Sequence, residues 1–135
     1  MGHSTLMCIV IHPAIAPELI TQQLSLPPSV SQTAGERIVT PKGRVLEGRY
    51  KFSKWCYKEE INEECSLEDQ LSCLIETLLF NSEFLVNIKN EGGNVSVFFN
   101  LSDPGEISLN VSHEILEKMS RLMISFGMEI FQSEH

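Results

Sequence analysis

The pattern of apolar and polar positions in the first part of the chain predicts a strand followed by a helix. Residues 5–12 form a short, almost wholly apolar run with β-branched side chains, which is typical of a strand in the middle of a sheet. Residues 16–24 carry apolar side chains at helical spacing, and Pro17 suits the first turn of a helix. We expect this helix to end before Pro27-Pro28, because the residue before a proline avoids the α conformation.

The next part of the chain is less regular. Glycines and a proline interrupt residues 29–48, so we predict a long connection with one short strand over residues 37–40. Aromatic side chains over residues 49–57 then predict a longer strand. Its alternation changes parity between Phe52 and Trp55, which indicates a bulge between them.

The clearest helix covers residues 66–79. Ser66 and Asp69 have the spacing of a capping box, which marks the beginning of a helix. A series of apolar side chains follows at intervals of three and four residues and forms one stripe along the helix. These side chains are Leu67, Leu71, Leu74, Ile75, Leu78 and Leu79.

Three alternating segments in the second half of the chain predict a meander of antiparallel strands. They cover residues 83–89, 94–101 and 106–111, and each has one apolar face. Gly92-Gly93 can adopt the positive φ angles that a tight hairpin turn requires, and Asp103-Pro104-Gly105 supplies a second turn.

The end of the chain predicts a helix and a short strand. Ser112 is expected to cap a helix over residues 113–126, with Gly127 as its C-terminal glycine, and residues 128–131 are expected to form a closing strand. The segments together predict an α+β fold, in which three helices pack on a mostly antiparallel sheet of about five to six strands. We expect a single domain over residues 1–135.

Composition and charge argue against several classes of protein. A content of 42% hydrophobic and 21% charged residues argues against disorder. The net charge of −8 argues against direct binding of nucleic acid or of an anionic membrane, because both require a cationic surface. The chain begins without the basic leader and cleavage site of a signal peptide, so we expect a cytoplasmic protein with free thiols.

No motif in the sequence predicts catalysis, a metal site or a cofactor. Glycine-rich phosphate loops and the Gly-x-Ser-x-Gly motif are absent. The four cysteines include no Cys-x-x-Cys pair, and the four histidines are scattered. We therefore expect a non-enzymatic protein, with no catalytic residue, no metal ligand and no cofactor.

Charge is strongly segregated along the chain. Residues 37–58 contain seven bases and one acid, whereas residues 59–88 contain eight acids and neither lysine nor arginine. One interpretation is a solvated face whose charges partly pair across the fold. The other is a surface that steers a basic partner, since clustered acids can raise the association rate with a cationic protein about ten- to a thousandfold at low salt.

Several segments resemble a bacterial family of small single-domain proteins of unknown function. The similar segments are Lys54-Trp55-Cys56-Tyr57, the acidic stretch after it, and Ser66-Leu67-Glu68-Asp69-Gln70-Leu71. Leu26-Pro27 stands at the Leu-x-Pro motif of the family, and Gly35 and Arg49 precede its tryptophan strand. The resemblance covers most of the chain, implies an α+β fold and brings no known catalytic residues. Some such small acidic proteins resemble immunity proteins of toxin–immunity gene pairs, including contact-dependent growth inhibition systems.

These observations lead to one functional hypothesis and two alternatives. We expect an immunity protein, monomeric until it forms a heterodimer, that binds and neutralises a cognate toxin with a cationic nuclease domain. The first alternative is a small enzyme or ligand-binding domain with a pocket between the Trp55 strand and the helices. The second is an interaction module or homodimer that uses an edge of the sheet. In the leading hypothesis, carboxylates mimic phosphate groups and contact the toxin; they are Glu59, Glu60, Glu63, Glu64, Glu68 and Asp69.

Overall fold

A five-stranded sheet is the framework of the fold. The computed structural model describes residues 4–133. The first strand lies at the centre of the sheet, as predicted, with antiparallel neighbours on both sides. One outer strand is antiparallel and the other is parallel to its neighbour, so the sheet is mixed. In spatial order the strands are β2 (Val30–Gln32), β5 (Ser53–Glu60), β1 (Thr5–His12), β6 (Asn94–Ser102) and β7 (Ser125–Phe131).

The helices pack against one face of this sheet. Alternate side chains of the three central strands, among them Leu6, Trp55 and Phe99, are fully buried beneath them. No single helix within residues 4–133 is long and apolar enough to cross a bilayer, although the second and third together have sufficient length and composition across a bend of 83°. The helices are α1 (Pro17–Leu24), α2 (Leu67–Leu79), α3 (Ser82–Asn90) and α4 (His113–Arg121).

A separate two-stranded hairpin interrupts the irregular segment. Its strands are β3 (Arg37–Val39), which confirms the predicted short strand, and β4 (Val45–Arg49), which the sequence did not indicate because all of its side chains are exposed. The predicted strand over residues 49–57 was wrong at its beginning. Tyr50 belongs to the base of this hairpin, where its backbone N–H donates to the carbonyl oxygen of Glu36, and β5 starts only at Ser53. The change of parity therefore marks the boundary between two elements and not a bulge.

The predicted three-strand meander was wrong. Residues 82–90 form the helix α3, which places Leu85 and Ile88 in the core at helical spacing. Gly92, at a φ of 93°, follows this helix, and the hairpin turn does not exist. Residues 106–111 form no strand and are mostly exposed.

The last helix is shorter than predicted, and the strand after it is longer. The helix α4 ends at Arg121, Met123 has a φ of 57°, and β7 begins at Ser125. Gly127 is therefore a strand residue and not a helix cap. The prediction of a mixed helix-and-sheet domain is confirmed, but residues 4–133 contain four helices where three were expected, and a crossover through α4 makes β7 parallel to β6.

Candidate protein-binding groove

The predicted acidic segment forms one wall of an open depression at one end of the sheet. The depression has a volume of about 920 Å³ and lies between residues 60–68 and residues 101–108, with Ser4 also lining it. Among residues 4–133, no lysine, arginine or histidine lines it. We call it the acidic groove, after the six carboxylates on its walls, which are Glu60, Glu63, Glu64, Glu68, Asp103 and Glu106.

The buried amide of Gln70 holds the first wall in place. The side-chain oxygen of Gln70 accepts from the backbone N–H of Asn62 at 2.9 Å. Its side-chain nitrogen donates to the carbonyl oxygen of Glu60 at 2.8 Å and to a carboxylate oxygen of Glu59 at 3.0 Å. Gln70 is 7% exposed, so these bonds lie largely out of water and fix the chain where β5 leaves the sheet.

Local caps complete the shape of this wall. The side-chain oxygen of Asn62 accepts from the backbone N–H of Glu64, which forms a turn that asparagine favours. The hydroxyl of Ser66 accepts from the backbone N–H of Asp69 at 3.1 Å and caps α2, as the sequence predicted. The exposed carboxylates of Glu63 and Glu64 therefore lie on a loop that hydrogen bonds hold on both sides.

Two carboxylates join the walls to other parts of the chain. Glu68 accepts from the backbone N–H of Asn110 at 2.6 Å, and this bond holds the pKa of Glu68 below its usual value. Asp103 accepts from the hydroxyl and backbone N–H of Ser133, and these bonds likewise lower the pKa of Asp103. Both carboxylates therefore stay ionised as the pH falls toward the ordinary pKa range of carboxyl groups.

The predicted site residues divide into two groups. Glu60, Glu63, Glu64 and Glu68 line the acidic groove, whereas Glu59 and Asp69 do not. The carboxylate of Glu59 accepts instead from the phenol of Tyr57 at 2.6 Å and from Gln70. Burial, and then the contact with Glu59, raises the pKa of Tyr57 to about 12.

Sequence reasoning missed Asp103 and Glu106 as groove residues. The sequence pattern places them in a turn and a strand of the predicted meander, and it contains no indication that they face residues 60–68. The exposed acid at the beginning of the Asp103-Pro104-Gly105 turn was the only available signal. Their position depends on β6, which ends beside the start of β1 and delivers the following turn to the groove.

The groove carboxylates do not pair with the basic segment of the chain. Within residues 4–133, the ion pairs are His12 with Glu91 and Lys118 with Glu76, and neither includes a groove residue. Arg37, Arg44 and Arg49 lie on the exposed hairpin of β3 and β4. The chain enters β5 from this hairpin at Ser53, whereas the groove lies at the other end of β5, beyond Glu60. The negative charge of the groove is therefore not neutralised by ion pairs in this part of the chain.

The alternative pocket beside Trp55 finds no support in the packing. The indole is fully buried, and its nitrogen donates to the hydroxyl of Thr21 at 2.9 Å. Its ring stacks on that of Tyr57 at a centroid distance of 6.5 Å. Trp55 thus fills the core between β5 and α1, and it does not line the acidic groove.

The other chemically active side chains have structural partners. The Nδ1 atom of His12 accepts from the backbone N–H groups of Ala14 and Ile15, and its Nε2 atom contacts Glu91 at 2.7 Å. Burial raises the pKa of the Cys8 thiol to about 12, which keeps it in the neutral, weakly nucleophilic form. Across residues 4–133, no group of three or more histidine, cysteine, aspartate or glutamate side chains is arranged to hold a metal ion.

The fold and the groove define a class of protein, a small domain of helices on a mixed sheet with an open anionic surface. The chain matches one family model over residues 8–132, which is nearly its whole length, and it belongs to that family, the domain of unknown function DUF4279. A search of curated proteins found no match, and a search of solved structures found none either. The relation to immunity proteins stays a prediction.

Proposed function

We propose that this protein is a non-enzymatic immunity protein that binds and neutralises a cognate toxin, whose active domain is a cationic nuclease. The observation that carries the proposal is the acidic groove, where six carboxylates line one open surface and the described part of the chain places no basic side chain among them. Such a surface binds a positively charged partner better than a small neutral ligand. Because nucleases must bind phosphates, their active surfaces are basic.

The electrostatic contribution concerns recognition more than final affinity. Clustered carboxylates raise the encounter rate with a cationic protein about ten- to a thousandfold at low salt, and screening removes most of that gain at high salt. The lowered pKa values of Glu68 and Asp103 keep those two charges in place in mildly acidic solution. The groove would therefore attract its partner over the whole physiological pH range.

The proposal also gives a mode of inhibition. Glu63 and Glu64 are exposed on a loop that Gln70 fixes, so their carboxylates can occupy positions that substrate phosphates take on the toxin. A rigid loop loses little conformational entropy on binding, which favours affinity. Glu59 and Asp69 have no contact role in this proposal, since they lie outside the groove. We further propose that the protein acts in the cytoplasm.

The test uses the product of the gene that adjoins this one, expressed as its purified toxin domain. Each chain of the protein should bind one toxin domain and abolish the nuclease activity of that domain. The variant Glu63→Lys/Glu64→Lys/Glu106→Lys should lower the association rate at least tenfold at low salt. Its matched control is Glu36→Lys/Glu47→Lys/Glu117→Lys, which changes the net charge equally at exposed positions outside the groove.

Two results would overturn the proposal. Equal association rates for the groove variant and its control would show that only net charge matters. Full nuclease activity in the presence of a saturating amount of the wild-type protein would remove the immunity function. A steep fall of the wild-type association rate with ionic strength, lost in the groove variant alone, is the expected result.

A further inference from the structure

The parallel outer strand β7 is an open edge of the sheet. It has seven residues, contains neither proline nor lysine, and carries one charged side chain, Glu129. The opposite edge is protected, because β2 has only three residues and follows Pro27-Pro28. Exposed apolar side chains also lie on β7, with Ile130 46% and Phe131 51% exposed. A long, apolar and unprotected edge is a surface for pairing with another strand.

The backbone of β7 shows which groups are free for such pairing. The carbonyl oxygen of Phe131 accepts from the backbone N–H of Asp103, which follows β6, so the backbone of Phe131 faces β6. Because backbone groups alternate along a strand, those of Phe126, Met128 and Ile130 face outward. No backbone hydrogen bond within residues 4–133 joins these outward groups to another element.

We propose that β7 pairs antiparallel with β7 of a second copy of this chain, around a two-fold axis at Met128. In this register Phe126 lies opposite Ile130 of the second copy, and the two copies of Met128 lie opposite each other. All the outward backbone groups then find partners, which gives about six hydrogen bonds between the copies. The sheets of the two protomers join into one continuous sheet, and the interface is self-complementary, as two-fold symmetry requires.

The side chains are compatible with the same register. Glu129 lies opposite Gly127 of the second copy, so the carboxylates of the two strands do not face each other. Phe131 lies opposite Ser125 of the second copy, beside a shallow apolar trough of about 390 Å³ on the uncovered face of the sheet. The small residues Ser125, Ser96 and Gly127 form its floor, with larger side chains, among them Ile9, Ile11 and Phe98, around them.

The trough argues for a second copy as the occupant of this edge. An exposed aromatic side chain and a shallow apolar depression lie on the same strand, and the two-fold operation brings the phenylalanine of each copy to the depression of the other. The acidic groove is not lined by any residue of β7, so the paired protein keeps one free groove per chain. The inference therefore stands apart from the proposed immunity function, and each can fail alone.

The first experiment measures oligomeric state by sedimentation velocity of the full chain from micromolar to millimolar concentration. The wild-type protein should become a dimer as concentration rises. Ile130→Pro removes an outward N–H that β6 does not use, and Phe131→Ser removes the aromatic side chain that lies at the trough; both should remain monomeric. The control is Phe80→Ser, which removes a phenylalanine that is 88% exposed and lies outside β7. Circular dichroism establishes that all variants are folded.

The second experiment tests the register. Gly127→Cys and Glu129→Cys are made as separate proteins in a background in which Cys65 and Cys73 are replaced by serine. The proposed pairing places residues 127 and 129 opposite each other at a Cα distance of about 4.5 Å, which a disulfide can bridge. An added Cβ at Gly127 would have only an ordinary contact with Phe98, at 3.8 Å.

The outcomes separate clearly. A covalent dimer should form on oxidation when the two cysteine variants are mixed, and much less in either variant alone. The proposal is overturned if the wild-type protein stays monomeric at every concentration, even if β7 binds a strand from another protein. It is also overturned if Ile130→Pro and Phe131→Ser dimerise like the wild type, or if cross-linking is the same in mixed and single samples.

Discussion

Replacing Gln70 with glutamate keeps the size and shape of the side chain but removes the amide group that holds the acidic wall of the groove. The new carboxylate can still accept from Asn62, but it cannot donate to Glu59 or to the carbonyl oxygen of Glu60. It also brings a second negative charge within hydrogen-bond distance of Glu59 in a site that is largely buried. The folded state should therefore lose free energy in two ways.

The size of the effect can be worked from these contacts. A hydrogen bond to a neutral acceptor contributes about 0.5–1.5 kcal/mol, and one to a charged group contributes about 1.5–3 kcal/mol. The repulsion between two carboxylates about 4 Å apart is about 4 kcal/mol at an effective dielectric constant near 20, and partial exposure of Glu59 lowers this figure. The two lost bonds together amount to about 2 kcal/mol or more, and the repulsion adds about 1 kcal/mol even when water screens it fully. We therefore expect Gln70→Glu to lower the free energy of unfolding by at least about 3 kcal/mol at neutral pH.

The assay is urea unfolding followed by the fluorescence of Trp55, repeated over a series of pH values. Repulsion raises the pKa of the carboxyl pair in the folded variant, so a proton binds more readily there than in the unfolded chain. The deficit of Gln70→Glu relative to the wild type should therefore shrink as the pH falls, because a protonated carboxyl can donate again. Gln70→Leu is the control, since it lacks the added charge and its deficit should change little with pH. A Gln70→Glu variant as stable as the wild type at neutral pH, or with a deficit that is constant over pH, would refute the reasoning.

Single contacts elsewhere in the fold give three further predictions. Gly93→Ala should lower the free energy of unfolding by about 1–3 kcal/mol in a urea titration, because an added Cβ would lie 2.5 Å from the carbonyl oxygen of Ile11. Gly127→Ala is the matched control, and equal stabilities of the two variants would contradict the predicted clash at Gly93. Trp55→Phe should cost about 2 kcal/mol of thermal and urea stability. Thr21→Val should then cost less in the Trp55→Phe background than in the wild type, because the bond from the indole nitrogen to the Thr21 hydroxyl is already lost; equal costs would argue against the bond. The bond from Asn110 stabilises ionised Glu68, so the contribution of this bond to stability is present at neutral pH and is lost as the pH falls through the pKa of Glu68 in the folded state. Glu68→Gln should therefore weaken the fall of the free energy of unfolding on the acid side of a pH series. Identical pH series for the variant and the wild type would show that the bond is unimportant.

Local sequence rules predicted an element correctly where its apolar side chains fit only the two-residue period of a strand or only the 3.6-residue period of a helix. The strand β1 covers the predicted residues, and α2 begins after the predicted cap, with Ser66 bonded to the N–H of Asp69. Both features depend on interactions within a few residues of each other, namely alternation along a strand and the first turn of a helix. The same rules failed for residues 82–90, because a short apolar segment satisfies both periods. Burial of Leu85 and Ile88 against the sheet decides for the helix, and that burial depends on residues far away in the sequence.

The groove shows the same division. The sequence by itself determined that residues 59–69 are acidic, that Ser66 begins a helix there, and that neither lysine nor arginine follows before residue 89. Only the tertiary structure decided that Glu59 turns toward Tyr57 and Gln70, that Asp103 and Glu106 face the loop, and that β7 is left as an open edge. Charge is a property of each residue, whereas the direction of a side chain and the neighbours of a strand depend on which distant segments the sheet and the helices bring together.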